Sequence, residues 1–453
     1  MGLSSAESAM LRELRTNATR ERREDKKFDA YYNAEQIIPT IGLAVPPELR
    51  VFEFALAWPQ IVIDAINDRL KVKMIIRPDT DLADEEMMRD WNASNLDSQS
   101  MLAHLDSLIY GRSYVSVGTN PDPSGRPLIR VESPEHMTSI VDQQTRRLTA
   151  ALRTYVDDVG RQAATLYLPD ETISLRTNML GRLVEESRDQ HGLGRVPIVL
   201  FLNRPRAGKF VGRSEIAPLI GPTDMVGRQL MNLQVAAESH SVPDKWAVGV
   251  SKGDFVDENG EPLAVWESYF TAMKAAANKD AKFGNFDAAD LANFTKVITM
   301  LSEQMSAITG LPPDYFGIST ANPPAEGAIR AAQDRRITRS EKQQRMAGDC
   351  WGWVLGIAER LRTGVWPDGD LIRVEWHDAG TPTFAQQVDG LNKMTGGKEI
   401  LSREGAWDEL GWSEARKARE RKYLEQEAAE GLGAFLTRPL NENRGTDDPA
   451  GGN

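Results

Sequence analysis

Apolar residues recur at steps of three and four from Leu291 through Phe294, Val297, Ile298, Leu301 and Met305 to Ile308, the spacing of one stripe along a helix. The remaining surface of that segment is small or polar: Thr295, Thr299, Ser302, Glu303, Gln304 and Ser306. Gly310 then stops the helix, and Pro312-Pro313 forbid its continuation because neither proline donates a ladder hydrogen bond. A loop follows from Asp314 to Pro324, holding Gly317, Ser319, Thr320 and Asn322. A second helix is predicted from near Pro324 and Ala325 to about Leu361, roughly 55 Å long at ~1.5 Å per residue. Helices of that length are rarely internal to a small enzyme.

Elsewhere the pattern alternates between the two periods. Residues 1 to 30 carry charges of both signs with little to bury, which predicts a charged helical arm. An amphipathic segment from Val51 to Leu70, interrupted at Pro59, leads into a strand over Lys71 to Ile76. Acidic residues from Asp79 to Glu86 read as a loop and a helix N-terminus, where the helix dipole favours them. Ser98 to Tyr110 is predicted helical and stopped by Gly111, and Ser113 to Val117 alternates as a strand. Further strands are expected at Leu128 to Val131, Leu148 to Val156, Ala164 to Leu168 and Leu183 to Glu186. This combination is α+β with a largely antiparallel sheet.

Beyond it, Ser214 is the expected N-cap of a helix that Gly221-Pro222 interrupts, with Thr223 capping its continuation to about His240. Met225, Val226, Leu230, Leu233 and Val235 give that helix an apolar face. Trp246 to Val250 reads as a strand, Gly253 to Pro262 as a loop, and Trp266 to Ala277 as a further element. After the long helix a strand is expected over Leu371 to Trp376. Short helices follow near Phe384 to Met394, Ile400 to Leu410 and Ser413 to Ala429. Residues 431 to 453, rich in Gly, Pro, Asn and Asp, read as a disordered tail.

At 453 residues the chain exceeds one compact core, and its 41% hydrophobic and 26% charged content is that of a folded protein. One cysteine, Cys350, excludes an intramolecular disulfide framework, and beside Trp351 and Trp353 it reads as a small buried hydrophobe. No signal peptide is apparent and no apolar run is long enough to span a bilayer, so a soluble, cytoplasmically made protein with no membrane partner is expected. The net charge of −12 argues against a protein that grips nucleic acid, since phosphate neutralisation needs a basic balance.

Catalytic chemistry finds little support. Gly208-Lys209 lacks the other residues of a phosphate-cradling GxxxxGK[ST] loop, and Gly192-Leu193-Gly194 is a lone GxG, read as a tight turn before Pro197. His104, His136, His191, His240 and His377 are scattered without metal-ligand spacing, and Ser239-His240-Ser241 is adjacency rather than a triad. No catalytic residue, cofactor or metal site is therefore assigned. The long helix carries Arg330, Arg335, Arg336, Arg339, Lys342 and Arg345 against only Asp334 and Glu341. These read either as an ordinary solvated face or as contacts to DNA phosphates or to acidic surface on a neighbouring subunit.

The run ITGLPPDYFG followed by NPPAEGAIRAAQDRRITRSEKQQRMAGDCW resembles the portal proteins of tailed bacteriophages, of the SPP1-like type found in actinobacterial phages. WPQIVIDAINDRLKV (58–72), HLDSLIYGRSYVSVG (104–118) and SPEHMTSIVDQQTRRLTAALRTY (133–155) resemble that family's wing. LYLPD (166–170), VPIVLFLNRP (196–205) and GRSEI (212–216), in that order, resemble the approach to its first stem helix. The resemblance covers roughly residues 30 to 425. It implies a portal fold: an N-terminal arm (1–30), a mixed α/β wing (31–212), stem helices (213–242 and 289–310) and a small α/β clip (243–288). A tunnel loop (311–325), a long wing helix with its return strand (326–396), a helical crown-like region (397–430) and the tail (431–453) complete it.

By that resemblance, copies form a ring, of twelve subunits, at one capsid vertex. The ring would pass double-stranded DNA without sequence specificity during packaging and ejection, and would dock the terminase large subunit, the major capsid and scaffolding proteins and a head-tail adaptor. The protein would be assembled in the host cytoplasm and reside in the virion. Lys296, Thr299, Glu303 and Ser306 are the channel-facing candidates; Pro312, Pro313, Asp314, Ser319, Thr320 and Asn322 belong to the tunnel loop; Trp246 and Trp266 are clip-interface candidates if exposed, with buried core as the competing role. Twelve copies would carry roughly −144, a field suited to letting DNA slide without sticking. Two other readings remain open: a different virion structural protein, such as a minor head or adaptor component, and a cytosolic enzyme with an unrecognised site.

Overall fold

The computed structural model describes residues 2–38, 55–77, 82–120, 125–179, 181–241, 245–249, 280, 282–285, 291–318, 326–367, 372–380, 384–396, 400–412 and 414–436. They fall into two compact units, Met1–Ala379 and Gly380–Asn453.

The first unit opens with helix α1, Ser5–Tyr32, started by a capping box in which Glu7 N donates to Ser4 Oγ and Ser4 N to Glu7 Oε2. The expectation of an arm with little to bury is corrected here. Leu11 and Leu14 are buried against a five-stranded antiparallel sheet, where they meet Leu152, Leu166 and Ile173. Ion pairs hold both ends: Glu7 with Arg188 at 2.8 Å, and Asp25, 2% exposed, with Arg112 at 2.8 Å. Two well-placed leucines and long-range charge partners do what a full apolar stripe does elsewhere.

Helix α2, Trp58–Asn67, carries Pro59 in its first turn, where a missing N–H costs nothing, so this proline starts the helix rather than interrupting it. Strand β1 (Val72–Arg77) pairs with the two-residue β2 (Leu82–Ala83). Asp84 caps α3, Glu85–Ala93, by accepting from Met87 N at 3.0 Å. Helix α4, Leu96–Tyr110, ends at Gly111, whose φ of 84° needs a residue without Cβ. Gly212 lies so close beneath it that an added Cβ would sit 1.6 Å from Gly111 O.

Strands β3 (Arg112–Gly118) and β4 (Leu128–Glu132) belong to one small sheet, while β5 (Met137–Val141), β6 (Leu148–Val156), β7 (Gln162–Tyr167), β8 (Glu171–Thr177) and β9 (Leu183–Gln190) form the five-stranded one in chain order. Strand β10 (Ile198–Leu202) then returns to pair with β3. Gly192 and Gly194, both at positive φ, make the turn the sequence indicated before Pro197.

Helix α5 runs Ile220–Ser241. Ser214 does not cap it: its Oγ accepts from Ile216 N in a local turn, and Thr223 is buried inside the helix. Gly221-Pro222 falls in the first turn, where proline is tolerated. Strands β11 (Lys245–Val248) and β12 (Lys282–Asn285) pair antiparallel. Helix α6 (Ala292–Thr309), a 3-10 turn (Pro313–Phe316) and the 38-residue helix α7 (Glu326–Thr363) follow, and β13 (Arg373–Trp376) closes on β1. Trp351 of α7 centres the core, its ring 5.0 Å from those of Trp91 and Phe201, and its Nε1 donates to His104 Nε2 at 2.8 Å.

The second unit contains α8 (Phe384–Thr395), α9 (Arg403–Glu409) and α10 (Glu414–Leu436). Trp407 stacks on Trp412 at 5.6 Å, Lys417 pairs with Asp408, and Arg421 with Glu404 at 2.7 Å. The tail expected from residue 431 is helical as far as Leu436. Helix α8 falls with this unit, ahead of the boundary placed after residue 396 from sequence.

Candidate channel-lining site and arginine-bearing helix

Helix α6 packs on α5 and buries Leu301 and Met305, with Val297 and Ile298 half-buried. Ile308, assigned to the same stripe, is 45% exposed, whereas Ser302 is buried with its hydroxyl donating to Ile298 O at 2.9 Å. Lys296, Thr299 and Glu303 share the outer face and, with Ala292, Thr295 and Met300, line a shallow groove of about 490 Å³. Ser306 is not free on that face: its Oγ donates to Leu311 O at 2.6 Å and helps close the helix end. The face so formed has one cation, one anion and hydroxyls, with no nucleophile beside a base. Its chemistry is that of a wet, nearly neutral wall.

The chain leaves α6 through Gly310, φ 75°, whose N–H donates to Ser306 O at 2.8 Å. Pro312, Pro313 and Asp314 sit in or beside the 3-10 turn, and Phe316 anchors that turn by an edge-on contact with Trp58 at 5.3 Å. Pro313 and Asp314 are themselves exposed on this anchored turn. Ser319, Thr320 and Asn322 lie outside the described residues.

The basic residues of α7 divide into two groups, which corrects their reading as one face. Arg336, 2% exposed, donates to Tyr315 Oη at 2.8 Å. Arg339 donates to Thr309 O, at the end of α6, at 2.7 Å and pairs with Glu215. Glu215, 1% exposed, also takes Arg204 Nε at 2.7 Å and Asn203 Nδ2 at 3.1 Å, and Gln343 donates to Asn203 Oδ1. Burial and the nearby Arg204 pull the Arg339 guanidinium down to about 9, which leaves it a cation at neutral pH. Arg336 and Arg339 are thus turned inward and lock the end of α6 to the long helix. Arg336 is closed off by this contact, whereas Arg339, 13% exposed, still lines the groove it shares with Arg335 and Lys342.

Arg335, Lys342 and Arg345 are exposed. Arg335 and Lys342, with Arg204, Thr338 and Ile308, line a groove of about 520 Å³. The side chain of Arg330 lies outside the described residues. Sequence reasoning missed Glu215, Asn203 and Gln343; the signal was faint, an amide closing the apolar run Ile198 to Leu202 and a carboxylate just before Ile216.

Trp246 lies on β11 opposite Gly284, its side chain outside the described set, and Trp266 is outside it altogether. Among the described residues no group of His, Cys, Asp and Glu is arranged to hold a metal ion. Burial lowers His104 to about 3, so it accepts from Trp351 as a neutral ring, and raises the Cys350 thiol to about 12.

The chain matches the family described as phage portal protein, SPP1 Gp6-like, over residues 11–432. It is 37% identical over 424 residues to the portal protein of Mycobacterium phage D29, covering 90% of this chain and 86% of that one. The portal protein of Mycobacterium phage L5 is 35% identical over 422 residues with the same coverage. A solved neck of a native gene transfer agent particle, computed with C12 symmetry, aligns with a TM-score of 0.49 at 13% identity, over 86% of this chain and 94% of that one.

Proposed function

Because the chain belongs to the SPP1 Gp6-like phage portal proteins, we propose that its copies close into a ring at one capsid vertex, through which the genome enters and leaves. Portal function and residence in the phage particle follow from the family itself. The further parts of the reading are ours: twelve copies, assembly in the host cytoplasm, docking of terminase, capsid, scaffolding and adaptor proteins, and no catalytic activity.

The observation that carries the channel assignment is the paired α5 and α6, packed through their apolar sides and leaving Lys296, Thr299 and Glu303 on an outer polar face. In the ring these faces turn toward the axis, where a wall with few cations lets a polyanion slide. Contact with the DNA by the segment between Ile318 and Glu326 is part of the same proposal. Each subunit contributes two different surfaces, so the contact is head-to-tail and closes by rotation.

Mass measurement of the purified protein tests the ring. Twelve 50.3 kDa chains give a particle of about 600 kDa. A single-chain mass, together with absence of the protein from purified virions, would overturn the reading.

A further inference from the structure

Strand β10 is at the edge of its sheet, in the order β10-β3-β4. Val117 N donates to Pro197 O at 3.0 Å and Asn203 N to Gly111 O at 2.9 Å, so the odd-numbered residues bond to β3. Antiparallel alternation then turns the backbone N–H and C=O groups of Ile198, Leu200 and Leu202 the other way. No described strand pairs with that side. Among the described residues the polar contact on that side is weak: the Cys350 thiol lies 3.6 Å from Leu200 O.

A groove of about 430 Å³ runs along this edge. Helix α7 supplies its floor through Met346, Cys350 and Trp353, and Phe210 forms part of the far wall. Two exposed arginines, Arg146 and Arg147, stand on the β5–β6 turn at its rim, the Arg146 guanidinium 5.2 Å from the Phe210 ring centre. Asp349 is the one carboxylate in the lining. Hydrogen-bonding backbone, apolar floor and basic rim coincide at one place.

We propose that this groove binds an extended peptide segment of a partner protein, added as a strand beside β10. Its apolar residues, at alternate positions, would fill the floor, and its carboxylates would face Arg146 and Arg147. Free edge groups favour a backbone partner, and alternate side-chain pockets supply the selectivity. Ile198 is 1% exposed, so the reachable edge runs from Leu200 to Leu202, about 7 Å at ~3.3 Å per residue, and fits a segment of about three residues. Charge complementarity selects an acidic segment over a basic one. This surface is separate from the polar face of α6, so the inference stands apart from the channel reading.

The test uses two fluorescent synthetic peptides, Glu-Val-Thr-Val-Thr-Val-Glu and its counterpart with lysine ends, titrated against the full chain by anisotropy. Hydrogen exchange of Leu200 and Leu202 is followed in parallel. The acidic peptide should bind about tenfold more tightly than the basic one, and the two amides should become protected. Arg146→Glu with Arg147→Glu, both on an exposed turn, should reverse the preference while the circular dichroism stays unchanged. Absence of binding by the acidic peptide, binding without protection of those amides, or no response to the charge reversal would overturn the proposal. Protection already complete in the assembled protein and lost in separated chains would also overturn it, by making a second copy the occupant.

Discussion

Arg339→Ala isolates the claim that the arginines of the long helix are partly internal. The side chains of Glu215 and Arg339 are 1% and 13% exposed. Removing one partner of such a pair costs about 3–5 kcal/mol, because the remaining charge stays buried. Arg204 remains 2.7 Å from Glu215 but is 46% exposed, so it offsets part of the loss. The expectation is therefore the low end, about 3 kcal/mol, with the free Thr309 carbonyl contributing to it. Arg335→Ala, four residues earlier and exposed, should change stability by no more than about 0.5 kcal/mol. Urea unfolding followed by tryptophan fluorescence compares the two variants directly. Equal midpoints would refute the assignment of Arg339 as an internal lock and return it to the surface.

Gly212→Ala places a methyl group 1.6 Å from Gly111 O, backbone against backbone, and should leave little soluble folded protein, measured as the yield of soluble chain. Two buried groups give opposite pH dependence. Burial and the carboxylates of Glu135, Asp29 and Asp25 raise Asp106 to about 7, above its ordinary 3.8, so its contribution to stability is fully present below about 4 and is lost as pH rises through 7. His104 is lowered from 6.5 to about 3, so its contribution is present above about 6.5 and is lost as pH falls toward 3. Asp106→Asn should therefore leave stability rising with pH between 4 and 6.5, and His104→Gln should leave it falling, both read by thermal unfolding across that range. Deleting residues 319 to 324 should leave particle mass unchanged and reduce packaged or retained DNA, measured by nuclease protection; normal packaging would remove that segment from the mechanism.

Helix α6 was legible because its apolar spacing is nearly regular and Gly310, Pro312 and Pro313 set it apart from the long helix α7. Strand β10 was harder to see, since Ile198 to Leu202 is a continuous apolar run whose period is ambiguous. Strands β5 and β8 bury only two positions each and did not stand out. Docking of α1 depends on partners such as Arg188, 181 residues from Glu7, that no local window contains. The inward turn of two arginines was illegible for a related reason. Arg336 and Arg339 stand among the exposed cations of the long helix and read with them as one basic face. They turn inward because Tyr315, Glu215 and the Thr309 carbonyl bind them from elsewhere in the chain.

The most direct measurement is a single-particle electron-microscopy reconstruction of the purified protein. A closed ring with a hole wide enough for a DNA duplex, lined by α6 with Lys296, Thr299 and Glu303 toward the axis, is the predicted result. A ring lined by other elements, with α6 on its outer wall, would contradict the account.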